Sequence, residues 1–393
     1  MTEAQPRHSP LISPGARWRG LAAAISTITA VGVALGLGLP LLALLLEARG
    51  VSPAWTGINT AFAGIASVAV TPFVTPMAKR VGTARLAFWM VIVSGLSFYL
   101  FYVIEAFWVW FPLRLVFHGA VTATFVLSEF WINALAPAGR RGLVMGIYAT
   151  ILSIGFVAGP IMFAAIGSLG ALPFAIGSAI LLAAAVPVLL ARDTSPRLDG
   201  GHDTPFVRFL LIAPMATLAG FVFGSVESGS MSLLPIYGVH LGMEPGQAAL
   251  LVSAFVGGNI IMQVPLGLLA DRYERRQMLA LCALAGLAGA IAIPFMGSSL
   301  PALSVLLVVW GGIIAGLYTV GLTHLGARFT GADLASANAA FAMMYSLGML
   351  AGPLSMGAAL NTGYPAAMPY TIGGFFVIYL IVAYRRMSSP EGV

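Results

Sequence analysis

The sequence predicts an all-α polytopic membrane protein: twelve transmembrane helices in two pseudo-symmetric six-helix bundles. Three observations carry that expectation. Of the 393 residues 59% are hydrophobic and only 8% charged, with a mean hydropathy of +0.96, whereas soluble proteins carry about 25% charged residues. Apolar stretches of the roughly 20 residues needed to cross a bilayer recur along the whole chain. The basic residues fall almost entirely in alternate short loops, which is the pattern that orients a multispanning chain.

The elements follow in order. The polar, Pro-rich residues 1–19 are expected to form a cytoplasmic tail. The apolar run behind them has no small-residue cleavage site, so it reads as a first span and not as a signal peptide. Spans are predicted at 20–46, 54–78, 84–104, 107–135, 141–167, 171–191, 208–236, 246–270, 277–297, 301–328, 334–360 and 367–384. Pro40, Pro160, Pro235, Pro265 and Pro353 lie inside them, and membrane helices tolerate this because neighbouring groups satisfy the freed backbone. The interruption RDTSPRLDGGHDTPFVR (192–208) is rich in Pro, Gly and Asp. It marks a cytoplasmic linker, 192–207, between a first bundle at 20–191 and a second at 208–384; residues 385–393 form a second cytoplasmic tail.

With both termini cytoplasmic, all but Arg49 and Arg114 of the 19 Lys and Arg residues lie in inner loops. The net charge of +6 therefore reads as orientation, with no nucleic-acid partner implied. The lone Cys282 sits in an apolar run and excludes a disulfide framework or a Cys-based metal centre. Neither a metal nor a cofactor is expected. H-E-x-x-H, G-x-S-x-G and P-loop patterns are absent from the sequence, so it carries no signature of an enzyme or an ATP-driven pump.

The halves resemble each other. TPMAKRVG (75–82) matches GLLADRYE (267–274), and AGP (158–160) matches AGP (351–353) at nearly the same spacing. Two parallel six-helix repeats are a recurrent transporter plan, with the solute site near the midplane between them.

Three motifs carry a resemblance to the major facilitator superfamily that covers residues 20–384. GLLADRYERR (267–276) is similar to that family's loop between the second and third helices of each half, with Glu274 in place of a glycine; the first-half copy has Thr75 and Lys79 where Gly and Asp belong. RLVFHGAVTA (114–123), an Arg followed five residues later by a Gly, resembles the fourth-helix motif associated with proton coupling. Gly146, Gly155, Gly159 and Pro160 match the fifth-helix spacing of antiporters, with Phe163 and Ala164 replacing the usual glycine pair. ALAPAGRRGLVMGIY and LASANAAFAMMYSLGMLAGP are also similar to a largely uncharacterised group of bacterial permeases in that superfamily. The resemblance implies a monomeric secondary transporter in a bacterial inner membrane, moving a small molecule and protons across the lipid bilayer. Export by proton antiport leads; proton-linked uptake, lipid flipping or a non-transporting receptor on the same fold are the alternatives.

Gly155 and Gly159 form a small-x-x-x-small pattern that permits close helix approach, and Pro160 removes a backbone donor. Packing alone is the competing reading. Loop charges suggest two cytoplasmic latches. Asp271 faces Arg140 or Arg141, whose positive charge sits unfavourably at a helix N-terminus, and Lys79 faces Asp333, itself a good N-cap residue. The plain alternative is solvated charge that serves topology.

In the fourth span Arg114, His118, Glu129 and Asn133 fall at about 0°, 40°, 60° and 100° on the helix wheel and so form one stripe. Glu129 lies roughly 22 Å from Arg114 along the axis, which excludes a direct pair. Glu227 is the other acid within a span. A buried carboxylate whose surroundings change can exchange a proton, which makes Glu227 the expected proton carrier or solute-cation site. Arg114 is expected as the fixed charge and His118 as a relay. Ordinary structural hydrogen bonds are the alternative for all three. Glu129 and Asn133 are assigned to the cytoplasmic gate, where Glu129 either contacts His324 or Arg328 or serves the solute, and Asn259, Gln263, Tyr318, Asn338 and Tyr345 are assigned to the solute cavity. Few charges and many aromatics suit a small amphipathic or weakly charged solute.

Overall fold

The computed structural model describes residues 14–136, 141–167, 170–195, 207–329 and 331–387. Among them there are only helices and connecting turns. The first half contains α1 (Pro14–Ala48), α2 (Pro53–Val81), α3 (Thr83–Val103), α4 (Trp110–Leu135), α5 (Arg141–Ile166), α6 (Leu172–Ala183) and α7 (Ala185–Leu190). The second contains α8 (Val207–Ile212), α9 (Pro214–His240), α10 (Pro245–Arg272), α11 (Arg275–Ala292), α12 (Leu300–Ile314), α13 (Gly316–Arg328), α14 (Gly331–Leu360) and α15 (Ala367–Met387). Ten of the resulting spans are long and apolar enough to cross a membrane; α5 and α9 complete the twelve.

Three predicted spans are built from two pieces. The sixth breaks between α6 and α7 at Ala184, because Pro187 has no N–H for the Ala183 carbonyl. The seventh starts with α8 and changes direction at Ala213, φ −125° and ψ 53°, since a residue before proline is pushed out of the α region. The tenth joins α12 to α13 through a turn at Ala315.

Helix starts are capped by the residues that precede them. Ser52 accepts from Trp55 N, and Ser299 from Ala302 N. Glu274, the residue that replaces the expected glycine, accepts from Arg276 N at 3.0 Å and Gln277 N at 2.7 Å. Its repeat mate Gly82 turns the same corner at φ +95°, where a side chain would be strained. One joint uses a cap and the other a flexible backbone.

Each half packs its fifth helix on its first with almost no space between backbones. A Cβ added at Gly159 would lie 2.1 Å from Leu37 N, and one at Gly155 2.8 Å from Val33 N, both on α1. The matching Gly352 of α14 would meet Ser225 O of α9 at 2.0 Å. The two AGP copies therefore do the same packing job, and backbone contact at this range is how membrane helices gain dispersion energy without a hydrophobic drive. Around these pairs lie two apolar cores, one holding Phe98, Phe101, Trp110, Phe117 and Trp131, the other Phe255, Trp310, Phe376 and Tyr379. Large side chains such as Trp89, Leu190, Leu281, Val305 and Ile381 point outward, as lipid-facing positions require.

One end of the molecule carries Lys79, Arg80, Arg85, Arg272, Arg275, Arg276, Arg328, Arg385 and Arg386 at helix ends; it is called the basic end below. Contacts that join the halves gather at the opposite end. Gly57 and Gly64 of α2 press on Pro353 O and Leu350 N of α14, and Ser253 of α10 donates to Val157 O of α5 at 3.0 Å. Leu39 and Ala43, late in α1, join the second core, while Ala249, early in α10, joins the first. Toward the basic end the same helices expose Phe73, Met77, Ile154, Val264, Leu268 and Leu347.

Candidate functional site

The first-half part of the site is set by α2 and α4. Arg114 is 0% exposed, and its Nε donates to Asn59 Oδ1 at 2.7 Å. Its Nη1 and Nη2 have no hydrogen-bond partner, and neither do Asn59 Nδ2, Thr56 Oγ1 and Thr60 Oγ1 on the same stretch of α2. One turn along, the buried His118 donates through Nδ1 to the Arg114 carbonyl at 3.3 Å, and its Nε2 is unpartnered. Unsatisfied buried polar groups are costly, which makes Arg114 and its neighbours on α2 a candidate part of the site. Asn59, which holds Arg114, is a candidate that motif reasoning missed; an Asn–Thr pair inside an apolar span was its signal.

Glu129 is half-buried and lies within electrostatic reach of Tyr148 on its own half and Tyr318 on the other. The neighbouring Ser128 and Tyr148 hydroxyls are 2.8 Å apart. Asn133 is in α4, with its side chain outside the described residues.

In the second half Tyr345 of α14 donates to Glu227 Oε2 of α9 at 2.5 Å, which leaves Oε1 for another partner. Phe223, one turn before Glu227, stacks on Tyr345 with centroids 6.3 Å apart. Tyr318 of α13 completes the group at 5.6 Å from Phe223 and 6.0 Å from Tyr345. Three predicted residues, Glu227, Tyr318 and Tyr345, thus come together. Asn259 Oδ1 on α10 is buried without a partner, and Gln263 one turn on is half-buried. Asn338 is exposed on α14, nearer the basic end. Arg114 and Glu227 form no ion pair with each other: one is engaged by Asn59 and the other by Tyr345.

At the basic end Lys79 and Asp333 are exposed and form no ion pair. Arg140 and the side chains of Arg141 and Asp271 lie outside the described residues. His324 sits among the charges of Arg276, Arg328, Glu274 and Arg275. Arg328 donates to Ile212 O at 3.2 Å and lies over the Phe329 ring, so it is occupied within its own half. Gly155 and Gly159 sit in the α1–α5 contact, and Pro160 is buried next to them in α5; Gly146 is in α5, its surroundings outside the described residues.

A side-chain contact that the sequence reading missed joins the halves at the opposite end. His240 Nε2, at the end of α9, is 2.7 Å from Glu47 Oε1, near the end of α1. Beside it Arg49 donates to Glu105 O at 3.3 Å and lies over Trp110 at 5.2 Å. A half-buried contact of this kind contributes about 0.2–1 kcal/mol, so Glu47→Gln is expected to shift the balance toward opening of this end by up to roughly fivefold. Thiol modification of Leu39→Cys, in a chain with Cys282→Ala, measures it. An unchanged rate would show that the pair carries no closure energy.

The comparisons with known proteins agree with this architecture. The family model described as Major Facilitator Superfamily matches residues 22–244 and again 216–393. The chain is 27% identical over 353 residues to the uncharacterised MFS-type transporter YfkF of Bacillus subtilis (strain 168), covering 87% of this chain and 88% of that one. It is 24% identical over 324 residues to the uncharacterised MFS-type transporter YcaD of Salmonella typhi, covering 81% and 83%. Among solved structures, the nucleoside transporter NupG superposes with a TM-score of 0.77 at 14% identity, covering 95% of this chain and 99% of that one. A bacterial homolog of the human lysosomal transporter Spinster, inward-facing and occupied, gives 0.77 at 15% identity, covering 95% and 96%. Matched by the family model in both halves, and built as two repeats of six spans, the chain belongs to the major facilitator superfamily and is a multi-pass membrane transporter.

Proposed function

We propose that this transporter exchanges protons for a small organic or amphipathic solute and exports the solute across a bacterial inner membrane. The observation that carries this reading is the Glu227–Tyr345 pair. It is a carboxylate within a membrane span, with one oxygen held at 2.5 Å by a phenol and the other uncommitted. Such a group can take a proton when solute leaves and release it when solute binds, because the two compete for one negative charge. Arg114, fixed by Asn59, keeps a positive charge in the other half, and His118 relays protons beside it. Asn259, Gln263 and Asn338 supply polar contacts along the path, with Glu129 and Asn133 toward its basic end.

The positive-inside rule assigns the basic end, with both termini, to the cytoplasm. The described conformation is then closed outside by Glu47–His240 and open inside. Turnover of one monomer is a rocking of the halves, residues 20–191 and 208–384, around the site between them, with 192–207 as the linker that joins them. In the outward-facing state Lys79 meets Asp333, and Asp271 meets Arg140 or Arg141, while His324 closes the same face. Charge reversal at Lys79 or Asp333 alone is expected to lower transport by roughly threefold to tenfold, and the double swap to restore it, as an interaction energy near 1 kcal/mol would do. Failure of the swap to rescue either single variant counts against the latch.

Proteoliposomes with an imposed pH gradient and a panel of solutes test the function itself. Antiport acidifies the compartment that the solute leaves, so solute efflux must be matched by proton entry. Co-movement of proton and solute in one direction would instead establish uptake by symport, and gradient-independent flux would exclude proton coupling.

A further inference from the structure

The outermost rung of the seam between the halves is built from two helix ends. On α1 the face that packs on the second half runs through Leu39 and Ala43 and reaches Glu47 after one more turn. On α9 Val239 packs against both apolar cores, and His240 follows it as the last residue of the helix. His240 Nε2 donates to Glu47 Oε1 at 2.7 Å, so one hydrogen bond spans the two halves. The two side chains are 26% and 21% exposed. Protons from solution therefore reach the imidazole, while enough water is excluded for its charge to matter.

Glu47 stands in an unfavourable place. Both α1 and α9 end here, and a helix C-terminus carries a partial negative charge that repels a carboxylate and attracts a cation. Glu47 Oε2 is buried without a hydrogen-bond partner. Arg49, two residues on, is committed elsewhere: it donates to Glu105 O at 3.3 Å and lies over Trp110 at 5.2 Å. Compensation falls to His240, and an imidazole supplies it only when protonated. The neutral ring still donates one hydrogen bond, but the charge that strengthens such a bond is gone.

The other ionisable groups placed at this end are Arg49 and Glu105 of the first half, and Glu244, Tyr237, Tyr364 and Tyr370 of the second. Arginines, carboxylates and phenols of ordinary acidity keep their charge state between about pH 5.5 and about pH 8.5. Among the described residues His118 lies inside α4 and His324 at the basic end, so His240 is the group here that titrates in that range.

We infer that His240 is a proton-binding site separate from Glu227: protonated, it locks onto Glu47 and holds this end shut, and on losing its proton it lets the end open. The charged imidazole gains its partner in the closed state, so closure is strongest below the range in which it titrates and fades as the pH rises through it. With the basic end in the cytoplasm, external acid favours the state open to the cytoplasm. The switch is independent of which solute is carried.

The test uses the full-length protein in detergent with Cys282→Ala, Glu227→Gln and Leu39→Cys, whose thiol is modified by a methanethiosulfonate when this end opens. Each rate with a further change at His240 is divided by that of its parent at the same pH, so the pH dependence of the thiol reaction cancels, and Glu227→Gln removes the titration of the other proton site. At about pH 5.5 His240→Gln is expected to react roughly threefold faster than its parent, within the range of a partly exposed pair, and at about pH 8.5 at nearly the parent's rate. His240→Arg, whose charge does not titrate, should match the parent at the acid pH and react roughly threefold more slowly at the alkaline one. A change that merely loosened the fold would raise the rate equally at both. Equal ratios for His240→Gln at the two pH values, or a parent-like rate of His240→Arg at about pH 8.5, overturn the inference. Neither solute nor gradient enters the measurement, so its outcome is separate from that of the flux assays.

Discussion

Glu227→Gln is expected to lower pH-gradient-driven transport in proteoliposomes by roughly a hundredfold or more, the scale of a lost buried charge interaction. Glutamine keeps the shape of the side chain and can still accept from Tyr345, so the fold and the α9–α14 contact should survive. What it lacks is the titratable charge, and with it the competition between proton and solute. Tyr345→Phe makes the complementary change: the carboxylate remains, but the 2.5 Å hydrogen bond is gone. A charge-assisted bond is worth about 1.5–3 kcal/mol, so flux should fall by roughly tenfold to a hundredfold while staying coupled to the gradient. Transport that remains fully proton-driven in Glu227→Gln would remove Glu227 as the carrier.

Gly159→Val is expected to produce the largest loss of stability of any single change in α5. An added Cβ at Gly159 would sit 2.1 Å from Leu37 N and 2.2 Å from Gly36 C. These are backbone atoms of α1, so no side-chain rotation relieves the clash, and the helices must separate. Overpacking in a tight interface costs about 1–3 kcal/mol and occasionally more; here the whole α1–α5 seam opens with it. Gly352→Val should behave alike, since its Cβ would meet Ser225 O at 2.0 Å. Gly374→Ala, with nothing within 4 Å of the added atom, is the silent control. Thermal unfolding in detergent measures all three, and wild-type stability of Gly159→Val would refute the packing role.

These two predictions differ in how far they were legible before the fold was known. The helix-five glycines announce close packing through their spacing, but the same spacing also marks antiporters, and sequence cannot separate the two readings. The three-dimensional arrangement assigns Gly155 and Gly159 a packing role that the second half repeats with Gly352 on α9. Glu227 was legible as a lone acid in an apolar span, because desolvation makes such a residue expensive to keep. Its partner was not. Tyr345 lies more than a hundred residues away on another helix, and no local rule joins them.

Hydropathy and charge pattern were enough to place twelve spans, since a bilayer imposes length and polarity on each helix separately, and the recurring AGP and loop motifs pointed to the repeat. Such constraints act residue by residue, so they can be read along a line. The breaks at Ala184 and Ala213 follow from nearby prolines in the same local way. Other features depend on which faces meet. Asn59 beneath Arg114, the aromatic group around Glu227, the Glu47–His240 closure and the separation of Lys79 from Asp333 all arise between helices. They are fixed by packing and by which end of the two halves is closed, and a one-dimensional pattern of polarity contains neither.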